Sequence, residues 1–277
     1  MSTNPANYVM GHTDHERRRL SLQAAVLNPL TDAFLRRAGI SAGMHVLELG
    51  CGVGEVSLIT ARLVGPHGRV HCLDFDPDAL EIARGRIRSA GHDHVIFEQV
   101  DIHDHQPQRP YDAVIGRHIL VHTPDALAVL RRVVGLLHPG GVAAFHEGDF
   151  TCLPPGHPEM PLIRRVGGWI VECIGRGVPR PNMGTQMFQL MQEAGLGIPE
   201  CRAECVMDGG PHSPMYEWLA ETVRSLLPKM EALGVTTAAE VDIDTLAGRM
   251  RAEAVEHRGV VMSPMMVGAF ARKPHGN

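Results

Sequence analysis

The sequence contains no uninterrupted apolar run of 18 residues, so a membrane-spanning helix is not expected and a membrane is not an expected partner. Its opening stretch, MSTNPANYVMGHTDHERRRL, lacks the apolar centre of a secretion signal, which sets the expectation of a cytoplasmic protein. No basic run extends beyond Arg17-Arg18-Arg19, and 26 basic against 31 acidic residues give a formal charge of −5. Sequence-independent phosphate binding needs a concentrated positive surface, so nucleic acid is not an expected partner either. The six cysteines, at 51, 72, 152, 173, 201 and 205, form no CxxC pair. A disulfide framework therefore has no support, and most of them read as small buried hydrophobes. No internal repeat or low-complexity segment is visible.

What remains is an ordinary folding composition: 277 residues, 44% of them hydrophobic, enough to bury a substantial core and a ligand cleft. Thr13 and Glu16 read as a capping box that opens a helix to about Leu27. Asn28-Pro29 is expected to interrupt it, with a second helix carrying Leu30, Phe34 and Leu35 to a stop at Gly39. From His45 the chain alternates. HVLELG, RVHCLDF, VIFEQVD, YDAVIG and GVAAFHE are apolar strand-like runs, and 55–64, 77–90 and 124–137 are helical between them. That rhythm predicts a doubly wound α/β sheet with parallel strands. Beyond it, 157–177, 182–195, 214–232 and 238–257 read as helices, with strands at 199–207 and 259–272. The division expected is a helical cap over 1–40, an α/β core over 41–149, and lid helices with the remaining strands over 150–277.

The sharpest local signal is VLELGCGVGEVSL, where a strand runs into Gly50-Cys51-Gly52-Val53-Gly54 and then a helix. Such a turn lets a ligand approach backbone amides that a Cβ would block. A dinucleotide fingerprint wants glycine at position 55, and Glu55 stands there. GxGxG with an acid two residues upstream, Glu48, is the other pattern.

With the segments that follow, this pattern resembles the class I S-adenosylmethionine-dependent methyltransferases, most specifically over 46–149. The resemblance implies a Rossmann-like seven-stranded mixed sheet whose last strand is antiparallel. It implies S-adenosylmethionine as cofactor and S-adenosylhomocysteine as product. Glu48 and the amides of the Gly50 and Gly52 turn would hold the methionine part. Asp74, followed by Phe75, would hold the ribose, and Asp101 with the Ile102 amide would meet the adenine. Carboxylates suit these places, because ribose hydroxyls and an exocyclic amine donate hydrogen bonds that carboxylates accept. AVIGRHILVHTPDALAVLRRVVGLLHPGG resembles bacterial small-molecule methyltransferases of secondary metabolism, with Arg117 and His122 at recurring positions and His118 where an apolar residue is more usual. YVMGHTDHERRRLSLQ resembles a segment that folds over the cofactor, which makes Tyr8 and Gln23 candidate contacts.

Methyl transfer from a sulfonium is in-line displacement with an activated donor, so positioning supplies much of the acceleration. A base is needed only if the acceptor must shed a proton. In an open α/β sheet the ligand lies beyond the carboxyl ends of the strands, which points to His118, His122, His146, Glu147 and Asp149. Strand alternation puts His146 and Glu147 on opposite sides, and Glu147 is favoured as base or charge partner, with His118 and His122 beside it and His146 as an acceptor contact. The alternative for Glu147 is an ion pair with Arg164 or Arg165. Trp169, Met183, Met187, Trp218, Met262, Met265 and Met266 are candidates for an apolar acceptor lining or for core. His118 with His122, His92-Asp93-His94 and Asp101-x-His103-Asp104-His105 place metal donors close together, but the last two fall in connecting loops and no metal is expected. The function expected is methylation of a small, aromatic or apolar natural product, at ring carbon or nitrogen in preference to oxygen. A quinone-pathway methyltransferase or a non-catalytic S-adenosylmethionine-binding sensor or scaffold are the alternatives. The expected partner is a small-molecule acceptor, and a homodimer is allowed.

Overall fold

Strands that read as near-continuous apolar runs must be covered on both faces, which a sheet flanked by helices achieves. The computed structural model describes residues 14–151, 153–154 and 156–275, with side chains from residue 18 onward. After α1 (Asp14–Arg37) come β1 (His45–Leu49), α2 (Glu55–Val64), β2 (Arg69–Asp74), α3 (Pro77–Ser89), β3 (Val95–Gln99), β4 (Tyr111–Arg117), α4 (Ala126–Leu136) and β5 (Leu137–Asp149). Then follow α5 (Pro161–Gly177), α6 (Met183–Glu193), β6 (Glu200–Glu204), β7 (Met207–Gly209), α7 (Met215–Ala232), α8 (Ala238–Val241), α9 (Ile243–His257), β8 (Val260–Met262) and β9 (Met265–Arg272).

The main sheet has seven strands in the order β3-β2-β1-β4-β5-β9-β6. Its first five are mutually parallel, and β9 runs antiparallel to both β5 and β6. The parallel, doubly wound part is what the alternation of runs predicts, and the antiparallel last strand is what the family resemblance implies. The strand order reverses beside β1, so the carboxyl ends of β1 and β4 open the crevice in which ligands of such sheets bind.

Three departures have local causes. The expected break at Asn28-Pro29 does not occur, and α1 runs through Pro29. A proline inside a helix forfeits one hydrogen bond at a cost of ~3 kcal/mol. Here both halves are anchored: Val26 and Leu27 are buried under the lid helices and Phe34 and Leu35 against the sheet, while Thr31 Oγ1 donates to the Leu27 carbonyl at 3.1 Å. The expected strand 259–272 is split at Ser263-Pro264, where proline has no amide for a ladder. Ser263 instead exchanges bonds with Val206, its amide to the carbonyl at 2.8 Å and its Oγ from the amide at 2.9 Å. The expected strand 199–207 likewise stops at Glu204, and β7 beyond it pairs with β8, the piece freed by that split, in a separate two-stranded ribbon.

Each face of the sheet has its own core. Val46, Cys72, Ile115 and Ala144 pack on Phe34, Ile59 and Leu80. Leu47, Leu73, Val114 and Phe145 pack on Leu130, Val133, Met187 and Met191 on the other side. A third core joins Leu27 of α1, Trp169 of α5, Trp218 of α7 and Met250 of α9 into a helical lid. Among the described residues, no helix is long and apolar enough to cross a membrane.

Candidate active site

The glycine turn between β1 and α2 holds Gly50, Gly52 and Gly54 at φ 60°, 51° and 82°, a region that L side chains rarely adopt. Two of these glycines serve different ends. A Cβ on Gly52 would meet nothing within 4 Å, so its bare side fronts open space. A Cβ on Gly50 would lie 1.8 Å from Ile119 Cδ1, so that glycine is the seat of a side chain from the segment after β4.

The three acids stand at or just beyond the carboxyl ends of β1, β2 and β3. Asp74 closes β2, and its carboxylate accepts the Gly52 amide at 2.7 Å and the Asp76 amide at 3.0 Å, which ties the end of β2 to the glycine turn. Burial raises its pKa, against the pull of those amides. Phe75 follows, with its carbonyl accepting Gln99 Nε2 at 3.0 Å. Glu48 is buried on β1, and burial pushes it up to about 7, opposed by a bond from Ser57 and the charge of Arg117. Asp101 opens the loop after β3. Its side chain accepts the His103 amide at 2.9 Å and its carbonyl the amides of Asp104 and His105, and Ile102 packs against the core in this turn.

Arg117 leaves the end of β4 toward α1, where Nη1 donates to Asn28 Oδ1 at 2.9 Å and Thr31 Oγ1 at 3.0 Å. Burial lowers it to about 10, against the pull of Glu55 and Glu48, so it stays charged at neutrality. Asn28 in turn donates to Glu55 Oε2 at 3.1 Å, and Arg86 pairs with Glu55 Oε1 at 2.6 Å and donates to the Val53 carbonyl at 2.8 Å. Asn28, Thr31, Glu55, Arg86 and Ile119 are site-building residues that the sequence reading missed. Asn28 reads as part of a helix break, and Glu55 is conspicuous in sequence only as a missing glycine.

The segment after β4 forms the second half of the site. His118 has φ 55°, and its ring lies 5.9 Å from that of Phe150. Burial, with Arg117 as the next cause, holds its pKa well below the usual histidine range. His122 ends a 3-10 turn, Leu120–His122, and burial aided by Arg19 lowers it to about 4. His118 and His122 border a cavity of about 90 Å³ with Arg19, Gln23 and Leu27 of α1, Ile170 and Ile174 of α5, Trp218 and Leu219 of α7, and Met266 of β9. Arg19 Nη1 donates to Gln23 Oε1 at 2.7 Å on its wall.

Other candidates are placed elsewhere. Glu147 is fully buried, and its oxygens accept the amides of Ile119 at 2.9 Å, Leu120 at 3.1 Å and Val121 at 3.2 Å. The expectation of a base facing the acceptor is corrected: three successive amides form an anion nest around this carboxylate, and it fixes the turn that carries His122. Nor does it pair with Arg164, which bonds Glu159. His146 points the other way, toward α1, with Nδ1 3.1 Å from Thr31 Oγ1 and its ring 5.2 Å from Phe34. It is 1% exposed, so the expected acceptor contact is replaced by packing under α1. Met183 and Met187 are wholly buried in the sheet core beneath α6, because their i, i+4 spacing shares one helix face with Leu190 and Met191. Trp169 lies in the lid core, and of the apolar candidates Trp218 and Met266 reach the cavity. Asp149 accepts Thr151 and Thr185 and so fastens α6 to the end of β5. Tyr8 lies outside the described residues.

Residues 40–160 match a family model described as a methyltransferase domain. Over 212 residues the chain is 33% identical to a trans-aconitate 2-methyltransferase of Methylobacterium nodulans, covering 74% of this chain and 77% of that protein. It is 34% identical over 150 residues to the aklanonic acid methyltransferase DauC of Streptomyces sp. (strain C5), covering 46% and 68%. It is 30% identical over 132 residues to a demethylmenaquinone methyltransferase of Lactococcus lactis subsp. lactis, covering 47% and 50%. The matched stretch thus spans about half the length of several curated relatives. Among solved structures, the YcgJ protein from Bacillus subtilis superposes with a TM-score of 0.57 at 14% identity, over 89% of this chain and 98% of that one, a likeness of fold.

Proposed function

The chain belongs to the methyltransferase family, and on that premise we propose that it transfers the methyl group of S-adenosylmethionine to a small, largely apolar or aromatic acceptor. The observation that carries the reading is the set of three carboxylates, Glu48, Asp74 and Asp101, ending or following three successive strands around a glycine turn whose Gly52 side is open. These residues fit the cofactor's own chemistry. Glu48, with Arg117 held back toward α1, supplies the acceptor for an ammonium group. Asp74 is presented rigidly by the Gly52 and Asp76 amides for ribose hydroxyls, and Asp101 and the Ile102 amide are set side by side for an adenine edge. Phe75 and Gln23 remain proposed contacts. Bound there, the cofactor supplies a methyl carbon on a positively charged sulfur, ready for displacement.

The protein's own part is alignment and desolvation. His118 and His122 stand on the wall of an otherwise mostly apolar cavity and are neutral at pH 7, so each can accept a hydrogen bond or a proton from an acceptor. We read ring carbon or nitrogen as the preferred nucleophile and oxygen as allowed. Leu27 of α1, Ile170 and Ile174 of α5 and Trp218 of α7 line the cavity proposed for the acceptor.

Calorimetric titration with S-adenosylmethionine and S-adenosylhomocysteine, followed by an acceptor screen for a mass gain of one methylene, tests the reading. Saturable binding with turnover is expected. Asp74→Ala should weaken binding at least tenfold, about 1.4 kcal/mol. Absence of binding in folded protein overturns the proposal, and binding without turnover on any acceptor turns it into a sensor or scaffold. The Lactococcus relative favours a quinone-type acceptor as the second reading, so demethylmenaquinone belongs in the screen.

A further inference from the structure

Several histidines have no part in the methyl-transfer reading, and three elements bring two of them together. Glu48 pairs with Cys72, so His71, the next residue back on β2, points to the opposite face of the sheet. Glu98 of β3 shares that face by register, since His71 pairs with Ile96 and Leu73 with Glu98. The loop after β3 returns His105 over them, its carbonyl held by Arg132 of α4. Glu98 Oε2 lies 3.0 Å from His71 Nε2 and 2.9 Å from His105 Nδ1. The remaining ring nitrogens, His71 Nδ1 and His105 Nε2, each lie 2.9 Å from Tyr111 Oη.

The hydrogens do not close this ring. Its four contacts each need one hydrogen, whereas a phenol and two neutral imidazoles bring three between them and an ionised carboxylate brings none. An additional proton is one way to close it. A cation closes it differently. If both imidazoles carry their hydrogens on the nitrogens facing Tyr111, its oxygen accepts both bonds, and lone pairs of His71 Nε2, His105 Nδ1 and Glu98 converge on one point. A hydrogen bond from the far nitrogen of each ligating imidazole is the orienting contact that metal-bound histidines make. Among the described residues this is the group of three His, Cys, Asp or Glu whose ligand atoms lie within 4.8 Å of one another.

We propose that His71 Nε2, His105 Nδ1 and the Glu98 carboxylate bind a divalent transition-metal ion, zinc in the first instance, with water completing the shell. Two imidazoles and one carboxylate suit that class of ion, and three protein ligands leave one position to solvent. Glu98 is 42% exposed and His105 2%, so the ion enters from the Glu98 side and is backed by the protein interior. The site lies on the far side of β2 from Glu48 and has no part in methyl transfer. Its effect is to tie β2 and β3 to the turn that carries Asp101 and Ile102.

The test is titration of tag-free, metal-stripped protein with zinc by calorimetry, and with cobalt by visible absorption. The expected result is one saturable site in the wild type, with tetrahedral-type cobalt bands displaced by zinc. Glu98→Gln, at a half-exposed position that leaves folding intact, should weaken zinc binding at least tenfold, and His71→Asn and His105→Asn should remove the cobalt bands. The double variant His92→Gln, His94→Gln, which alters a second histidine pair with ring centroids 5.5 Å apart, should bind as the wild type does. No saturable site in the wild type, or affinity unchanged by Glu98→Gln, overturns the proposal.

Discussion

A buried carboxylate at the end of a central strand invites a catalytic reading, and at Glu147 the count of its partners decides otherwise. Three backbone amides occupy it and no solvent reaches it. Glu147→Gln keeps the shape but turns an amino group toward amide donors, leaving at least one of them unpaired at a cost of about 1–3 kcal/mol. The expected outcome is lower thermal stability and lower kcat, with the kcat–pH profile unchanged in shape. Loss of an ionisation near 7 from that profile in the variant would restore Glu147 as a base. His122 makes the opposite case. If it takes a proton from the acceptor, turnover needs its neutral form, and a pKa lowered to about 4 extends that form toward acid. The kcat profile should stay flat through the ordinary histidine range near 6.5 and fall only further down, and His122→Gln should lower the plateau. An acid limb near 6.5 that survives in His122→Gln would assign the proton to another group.

Between elements, the contact that joins the two halves of the site is Ile119 lying on Gly50. Gly50→Ala puts a methyl 1.8 Å from Ile119 Cδ1 and forces an L residue to φ 60°. Cofactor affinity should fall at least tenfold. The double variant with Ile119→Ala should recover part of that loss, the part due to collision, and leave the part due to backbone strain; strictly additive losses would show that the two residues are not in contact. None of this is legible in sequence, where Gly50 reads only as a place for a ligand. The strands from His45 to Glu147 and their crossover helices are legible, because strands buried on both faces and amphipathic helices write different periods into the chain. The acids that end those strands are legible for the same reason, once the strand ends are known. Side chains whose partners come from distant segments are not: Met183 reads equally well as cavity lining or core, and only the packing of α6 on β5 and β9 decides it. Pro29 reads as a break because sequence carries no record of the two cores that hold α1 on either side of it.

Across the whole molecule, burial sets two groups of titrations against each other. His45 and His122 are lowered to about 4 and His146 to about 3, with His118 also well below its ordinary value. In each case burial is the first cause. As pH falls through the ordinary histidine range near 6.5, the unfolded chain takes up these protons while the folded one does not, so the histidines withdraw stability on acidification. Glu48 and Glu147 are raised to about 7, so over the range from there down to the ordinary carboxylate value the folded state holds the extra proton and they add stability on acidification. With His71 and His92 also lowered, and Asp74 and His138 raised, six histidines stand against three carboxylates and one histidine, and the net slope should favour neutral over mildly acidic pH. His146 is the variant that isolates the effect. It is buried between Thr31 and Phe34, with no partner for Nε2 among the described residues, and no methyl-transfer role is proposed for it. In His146→Leu the loss of unfolding free energy between pH 6.5 and 5, measured by urea melts, should be shallower than in the wild type by up to about 1.4 kcal/mol per pH unit, the value of one proton. An unchanged slope would mean that His146 takes up its proton in the folded state as readily as in the unfolded chain, which burial under α1 should prevent.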